Sequence, residues 1–399
     1  MTTAGPLGRP RGAGRPPADD RRLVAVDVAR GLAVLGMFAA HLWPREVLDE
    51  RLFDGRSAIL FATLAGVSLG LLTGGSRPPA RGRWPRLSGS IAIRALLLVL
   101  LGLALQAWND FVLVILPYYG VMFLLVLPLL RAPRVVVALV GAVLVVAAPW
   151  AASLVPVDAR GDAAAPGGLG LAQDALLVGA YPALVWLPFL CAGLLAARSD
   201  LRRGRTRLIL VVGGVLAAVV GYGARSLPGA ADVAALDPAA HGGAPAELVG
   251  SGGVALAVLG VLLGLLDGTS GRSRQVLRTT LHPLAATGAQ PLTVYAVHLL
   301  LTAPLFVLHR LAGGGYGLPI GWLVASVVLT LLAATLWQRW LGRGPLERVV
   351  GRLSRPWSWG EGPHDRGTHD QGPDDQGPHD HGTGGHGLGP VVAAPSVRG

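Results

Sequence analysis

The sequence predicts an all-α integral membrane protein that crosses the bilayer about ten times and keeps both termini in the cytoplasm. Only 14% of its 399 residues are charged, whereas a soluble domain carries about 25%. The mean hydropathy is +0.54. Apolar segments alternate with short arginine-bearing loops, and many of these segments have the roughly 17–25 residues that a membrane helix needs. These observations exclude a soluble globular protein.

Ten apolar segments define the predicted spans. The fourth is the weakest, because Pro117 and Pro128 interrupt it and proline removes a backbone hydrogen bond from a helix. The predicted spans are residues 23–42, 57–73, 90–107, 111–130, 134–152, 176–197, 207–225, 250–267, 290–309 and 317–340.

The loop arginines predict the orientation of these spans. With the N-terminus in the cytoplasm, most loop arginines fall on the cytoplasmic side, as the positive-inside rule requires. The arginines left on the opposite side are Arg45, Arg51, Arg56, Arg160, Arg225 and Arg310. The net charge of +11 therefore reflects membrane topology, and no nucleic-acid partner is expected. The single cysteine, Cys191, excludes a disulfide framework.

The ends of the chain differ from the spans in composition. Residues 1–20 are rich in Gly, Pro and Arg and are expected to form a disordered cytoplasmic N-terminus. The transmembrane domain is expected to cover residues 21–342. Residues 343–399 are expected to form a cytoplasmic tail, disordered from about residue 360. The histidines of that tail lie among Gly and Asp without fixed geometry, so we expect no specific metal site.

The first span carries three ionisable residues, Asp27, Arg30 and His41. A helix advances about 100° per residue, so these side chains fall within a wedge of about 60°. Asp27 and His41 would lie about 21 Å apart along the axis. Ionisable groups inside a membrane cost roughly 2.5–3.5 kcal/mol each, so they indicate a function or an internal partner. From position alone, a simple Asp27–Arg30 pair with His41 at the wet end of the helix is equally compatible.

Further polar residues lie at loop ends and inside later spans. They are Asp54, Arg56, Arg94, Gln290, Tyr295 and His298. Arg94 lies at the predicted cytoplasmic start of the third span, where an arginine also serves as an interfacial anchor. Tyr295 and His298 share one face of the ninth span. His298 would lie well inside the bilayer, where it either bonds a neighbouring helix or lines a cavity.

Several blocks of this sequence resemble one family. The pattern VDVARGLA at residues 26–33, followed by His41, resembles the opening of heparan-α-glucosaminide N-acetyltransferase-like proteins. Arg94 and the blocks DGRSAILFATLAGVSL, ILPYYGV, YPALVWLPFLCAGLLAAR and TGAQPLTVYAVH resemble later parts of that family in the same order. The resemblance covers about residues 21–340, apart from two longer outer loops. It implies a transmembrane acyltransferase, which we expect in a bacterial plasma membrane.

The resemblance implies transfer of an acetyl or other short acyl group across the lipid bilayer. The donor would be cytoplasmic acetyl-CoA or a related acyl-CoA, and the acceptor an amine or hydroxyl of a glycan or other envelope molecule. The catalytic histidine of the family lies early in the chain on the luminal side, which matches His41. An imidazole supplies the base that acyl transfer needs, and His298 or Tyr295 could donate to the developing oxyanion. His41 and His298 are therefore the predicted catalytic residues.

The remaining predicted site residues bind the two substrates. Arg30 and Arg94 are expected to bind the coenzyme phosphates, because arginine binds phosphate bidentately, and Asp27 is expected to orient Arg30. The predicted substrate-binding residues are Asp54, Arg56, Gln290 and Tyr295. No metal cofactor is expected.

Two other functions are compatible with these residues. Polar residues on interrupted helices suit a transporter or flippase for a small polar or glycolipid substrate, and an inverted repeat between the two halves would favour it. In a non-catalytic scaffold, His41 and His298 would only tie helices together. The sequence leaves open the acceptor, the acyl chain, N- or O-acylation, and direct transfer or an acyl-histidine intermediate. It also leaves open whether the chain forms a homo-oligomer.

Overall fold

A computed structural model describes residues 23–42, 55–79, 81–156, 168–268, 271–314 and 318–355. The described residues form α-helices joined by turns and short 3₁₀ or π segments, and contain no β-strand. This confirms the predicted all-α class. The helices are α1 Val24–Leu42, α2 Arg56–Leu72, α3 Trp84–Trp108, α4 Leu116–Val126, α5 Arg134–Ser153, α6 Gly168–Gln173, α7 Ala183–Arg198, α8 Gly204–Gly223, α9 Pro245–Leu262, α10 Arg272–Thr280, α11 His282–Gly288, α12 Pro291–Leu311, α13 Ile320–Leu341 and α14 Pro345–Leu353.

Seven of the described helices are long and apolar enough to cross a bilayer. They are α1, α3, α5, α8, α9, α12 and α13. An eighth candidate is a pair of helical segments, Gly170–Val178 and Ala183–Arg198, which bend by 44° at a short break. Helices α2 and α4 are apolar but shorter, with 17 and 11 residues. Each of the ten predicted segments thus contains a helix, whereas the count of ten spans and their orientation stay predictions.

The helices divide into an inner group and an outer group. Helix α1 is buried along most of its length and packs against α2, α9 and α11, and α2 packs against α7. Helices α5, α8 and α13 instead expose apolar side chains, and α13 buries only Leu323 and Ala334 among its residues. A helix that exposes apolar residues is suited to contact with lipid chains. The inner group therefore provides the interior in which polar residues can lie.

Glycines bring the inner helices into close contact. A Cβ on Gly193 of α7 would lie 1.9 Å from the carbonyl oxygen of Thr63 in α2. A Cβ on Gly288 of α11 would lie 1.8 Å from the carbonyl oxygen of Asp27 in α1. No side chain fits at such distances, so the two backbones meet directly, as small residues allow in membrane helices. The second contact fixes α11 beside the polar end of α1.

Helix α14 lies in the part of the chain that the sequence analysis assigns to the C-terminal tail. It packs against α12 and α3. Its Glu347 carboxylate accepts hydrogen bonds from the backbone amides of Leu292 and Thr293 at 2.7 and 3.1 Å. A carboxylate at this position caps the first turn of α12. The segments predicted to be disordered, residues 1–20 and those beyond about residue 360, lie outside the described residues.

Candidate active site

Arg30 lies near the N-terminus of α1, and groups from three helices hold its guanidinium. Its Nη1 donates to Asp27 Oδ1 at 2.8 Å, and its Nη2 donates to Ser68 Oγ of α2 at 3.0 Å. Nη1 also donates to the carbonyl oxygen of Gly288 in α11 at 3.5 Å. Charge-assisted hydrogen bonds on both ends of a planar guanidinium fix its orientation. Asp27 thus contacts Arg30 as the sequence analysis expects.

His41 and His298, the two predicted catalytic residues, contact each other directly. His41 Nδ1 lies 3.1 Å from His298 Nε2, at hydrogen-bonding distance. The ring of Phe38 stacks on the His298 ring with a centroid distance of 3.7 Å. His298 is buried, whereas His41 is half-buried at the end of α1. The pair therefore has one enclosed imidazole and one that is more accessible.

A largely apolar cavity of about 330 Å³ lies between the first four helices, α12 and α14. Arg30 and Arg94 both line it. Met37 and Tyr295 also line it, and they precede the two histidines by four and three residues on α1 and α12. At about 1.5 Å per helical residue, the wall reaches within about 6 Å of the histidines along the helix axes. The cavity thus runs from two guanidinium groups towards the histidine pair.

The link between α3 and α4 positions Tyr295. The backbone amide of Ile115 donates to the Tyr295 hydroxyl at 3.5 Å. Asn109, fully buried just after α3, donates from Nδ2 to the carbonyl oxygen of Leu299 in α12 at 2.9 Å. Its Oδ1 accepts from the backbone amide of Val112 at 3.1 Å. Asn109 is not among the predicted site residues, although an amide flanked by apolar segments needs a buried partner and signals such a contact.

Arg94 joins α3 to the end of α14. Its Nε donates to the Ser354 hydroxyl at 2.9 Å. Ser354 and Ser68 are site contacts that the sequence analysis missed. Ser68 carries a detectable signal, because a hydroxyl in an apolar helix needs a polar neighbour. Ser354 carries none, since it lies in a segment with no apolar pattern that would place it against α3.

The other predicted substrate-binding residues that the structure describes, Gln290 and Arg56, bond groups outside the cavity. The Gln290 amide donates to the carbonyl oxygen of Ala334 in α13 at 2.8 Å and is buried. Arg56 Nε donates to the Tyr222 hydroxyl at 3.0 Å. Neither residue lines the 330 Å³ cavity. Asp54 lies outside the described residues. Of the described members of this predicted set, Tyr295 alone lines the cavity.

Acidic, histidine and cysteine side chains do not cluster in the described ranges. Across residues 23–42, 55–79, 81–156, 168–268, 271–314 and 318–355, no group of three or more such residues could hold a metal ion. The histidines of the C-terminal segment lie beyond these ranges.

The fold and this site together define a helical membrane protein with a histidine pair near a cavity that two arginines line. Comparison with protein families identifies the particular family. Residues 22–228 match the family described as heparan-alpha-glucosaminide N-acetyltransferase, catalytic. The chain belongs to this family, as its resemblance predicts. A search of curated proteins found no match.

Family membership and the apolar helices establish the broad class of the protein, a membrane acetyltransferase. The matched residues include Asp27, Arg30, His41 and Arg94. They end within the segment that follows α8. His298, on α12, lies beyond them, so its place beside His41 is known from the structure alone.

Proposed function

We propose that this protein transfers an acetyl or other short acyl group from cytoplasmic acyl-CoA to an amine or hydroxyl of a glycan or other envelope acceptor on the opposite side of the membrane. The observation that carries the proposal is the cavity that begins at Arg30 and Arg94 and extends to within about one helical turn of the His41–His298 pair. Arg30 and His41 are about 17 Å apart along α1. An extended acyl-pantetheine chain suits such a narrow apolar passage.

The histidine pair supports general base catalysis. As the acceptor nitrogen or oxygen attacks the thioester carbonyl carbon, His41 takes the proton that this atom loses. The bond from the acceptor to carbon forms, the carbon–sulfur bond breaks, and the proton passes from His41 to the departing coenzyme thiolate. His298 orients the His41 ring through the 3.1 Å hydrogen bond. His41 is the base in this scheme because it is the more accessible of the two rings.

Tyr295 supports stabilisation of the tetrahedral intermediate. Its hydroxyl oxygen accepts from the Ile115 amide, so the hydroxyl proton can donate to an oxyanion in the cavity. Removal of one such donor typically costs about 100- to 1,000-fold in kcat. At the other end, the guanidinium groups of Arg30 and Arg94 supply positive charge for the anionic part of the donor.

The test separates donor binding from acyl transfer. Purified protein in detergent or nanodiscs is incubated with acetyl-CoA labelled in the acetyl group. Donor affinity and the release of coenzyme thiol are both measured in the presence of amino-sugar acceptors. We expect wild-type protein to bind the donor and release thiol, and His41→Ala to bind it with similar affinity but lose at least about 100-fold in rate.

A matched control removes an imidazole elsewhere. His282, exposed at the start of α11, lies outside the site, so His282→Ala is expected to keep the wild-type rate. The proposal fails if folded wild-type protein binds no short-chain acyl-CoA. It also fails if His41→Ala and wild-type protein release thiol at the same rate. Uptake of a sugar into proteoliposomes without any acyl transfer would instead favour a transporter.

A further inference from the structure

Two further pockets with charged residues in their lining adjoin the apolar cavity at its arginine end. The first, about 480 Å³, is lined by residues of α1 and α2 and by Asp200 and Arg202 after α7. The second, about 570 Å³, lies between α3, α12, α13 and α14. Either pocket is large enough to admit part of a donor molecule, because ligand sites commonly measure about 300–1,000 Å³. The two pockets differ in their continuity with the cavity and in the charges of their lining.

The second pocket is more continuous with the cavity. Arg94, Leu292 and Val350 line both the second pocket and the cavity. The first pocket shares only Arg30 with the cavity, and three hydrogen bonds hold that guanidinium in place. A flexible chain can therefore pass from the second pocket along Leu292 and Val350 into the cavity. Passage from the first pocket requires movement around a fixed Arg30.

The first pocket also contains balanced charges. Two of its lining residues are carboxylates, Asp27 and Asp200. Asp27 pairs with Arg30 at 2.8 Å, and Asp200 pairs with Arg203 at 3.2 Å. Carboxylates at a phosphate site repel the ligand and cost affinity. This pocket is therefore poorly suited to a group with several phosphates.

The second pocket contains an excess of positive charge. Arg94 and Arg343 both line it, and no described carboxylate forms an ion pair with either guanidinium. The one carboxylate in the lining, Glu347, already accepts from two amides at the start of α12 and from the Thr293 hydroxyl at 2.5 Å. Arg94 contacts the neutral Ser354 hydroxyl, and Arg343 is exposed. Two guanidinium groups thus face a pocket whose one lining carboxylate is already hydrogen-bonded to the start of α12.

We infer that the Arg94–Arg343 pocket beneath α14 binds the phosphorylated nucleotide end of the acyl-CoA donor. The inference rests on the proposed acyltransferase function. It makes Arg343 a donor-specificity residue, which binds the phosphates of the nucleotide, and it gives α14 the role of the wall under which the donor enters. Arg30 then shapes the cavity between α1, α2 and α11 and adds positive charge at its arginine end.

Helix α12 lines the path of the donor from the second pocket through the cavity towards the histidines. Leu292 lines both the pocket and the cavity, Tyr295 lines the cavity, and His298 follows. From Leu292 to His298 the helix advances about 9 Å. The same helix therefore contacts the donor where it enters and where it reacts. A donor without the nucleotide would keep the contact with α12 where the donor reacts and lose the contact where it enters.

The experiment compares two donors in wild-type protein and in Arg343→Gln. Acetyl-CoA carries the nucleotide end, whereas S-acetylpantetheine lacks it, and the dissociation constant of each is measured with purified protein in nanodiscs. We expect Arg343→Gln to weaken acetyl-CoA binding by about 10-fold or more, since a hydrogen bond to a charged group is lost. We expect S-acetylpantetheine to bind both proteins equally. Arg343→Lys should recover part of the acetyl-CoA affinity, because it keeps the charge but not the bidentate geometry.

Two further variants serve as controls. Arg339→Gln removes the same charge four residues earlier, near the end of α13, at an exposed position outside the pocket. This variant should bind both donors as wild type does. Arg202→Gln tests the first pocket. The inference is overturned if Arg343→Gln binds acetyl-CoA normally, if it loses both donors equally, or if Arg202→Gln alone loses acetyl-CoA. If wild-type protein binds neither donor, the proposed function itself is wrong and the inference falls with it.

Discussion

Arg30 and Arg198 are two arginines inside the helical body that differ in what they contact. Arg198, at the end of α7, is buried and donates only to neutral oxygens. These acceptors are the carbonyl oxygens of Gly70, Gly75, Arg77 and Leu130 and the hydroxyl of Thr73. Arg30 contacts a carboxylate, a hydroxyl and one carbonyl, and it lines the cavity.

The difference shows how one residue type serves two purposes. Arg198 satisfies carbonyl groups at the end of α2 and at the turn before α5, where a helix leaves its last carbonyls without partners. Its side chain lines none of the three pockets described above. Arg30 has partners that hold its plane while one side faces the cavity. We therefore expect substitutions at Arg198 to act on stability and substitutions around Arg30 to act first on the geometry of the site.

The largest effect is expected for Arg198→Ala. The substitution leaves several carbonyl oxygens without a donor in a buried region, and each such group costs roughly 1–3 kcal/mol. A total loss of about 3 kcal/mol or more is expected, seen as a lower Tm in a thermal scan of the solubilised protein. The control is Arg203→Ala, whose side chain is 77% exposed. Equal Tm values for Arg198→Ala and Arg203→Ala would show that the hydrogen bonds of Arg198 do not stabilise the fold.

A smaller effect is expected for Gly288→Ala, which acts at the contacts of Arg30. The new Cβ would lie 1.8 Å from the Asp27 carbonyl oxygen, so α11 and α1 must separate. Overpacking of this kind costs about 1–3 kcal/mol. Because Gly288 also accepts from Arg30, we expect donor affinity to fall together with the Tm.

The matched control for this prediction is Gly213→Ala, on the outer helix α8. A Cβ at Gly213 would meet no atom within 4 Å, and alanine forms helix more readily than glycine. Gly213→Ala should therefore keep the wild-type Tm or raise it slightly. If Gly288→Ala behaves in the same way, close contact of α1 and α11 does not determine the position of Arg30.

These contacts show how much of the molecule could be predicted from sequence. Hydropathy predicts the ten apolar segments, each of which contains a helix, because a backbone in lipid must satisfy its own hydrogen bonds; it does not predict the short helices α10 and α11. The Asp27–Arg30 contact follows from the spacing of three residues on one helix. Local periodicity was enough in both cases.

Contacts between distant helices could not be predicted in this way. His41 and His298 are 257 positions apart, and their contact depends on which helices the glycines bring together. Gln290 illustrates the opposite error: a polar residue beside an informative stretch bonds the Ala334 carbonyl instead of lining the cavity. Periodicity places a residue on a face of its own helix, but the neighbour of that face depends on tertiary packing.

The smallest effect is expected for Ser68→Ala, which removes one partner of Arg30. Ser68 Oγ accepts from Arg30 Nη2 at 3.0 Å and donates to the Leu64 carbonyl oxygen, four residues earlier. Ser88 makes the same backward bond to Trp84 at 2.9 Å, with no arginine partner among its described contacts. Ser88→Ala is therefore a control that removes only the backward bond.

We expect Ser68→Ala to cost about 1 kcal/mol more than Ser88→Ala. Because Asp27 still bonds Nη1, the guanidinium group of Arg30 gains only limited freedom to rotate. Donor affinity should therefore fall only a few-fold. Equal Tm and donor affinity in both variants would mean that Asp27 and Gly288 alone hold Arg30, and that its orientation does not depend on α2.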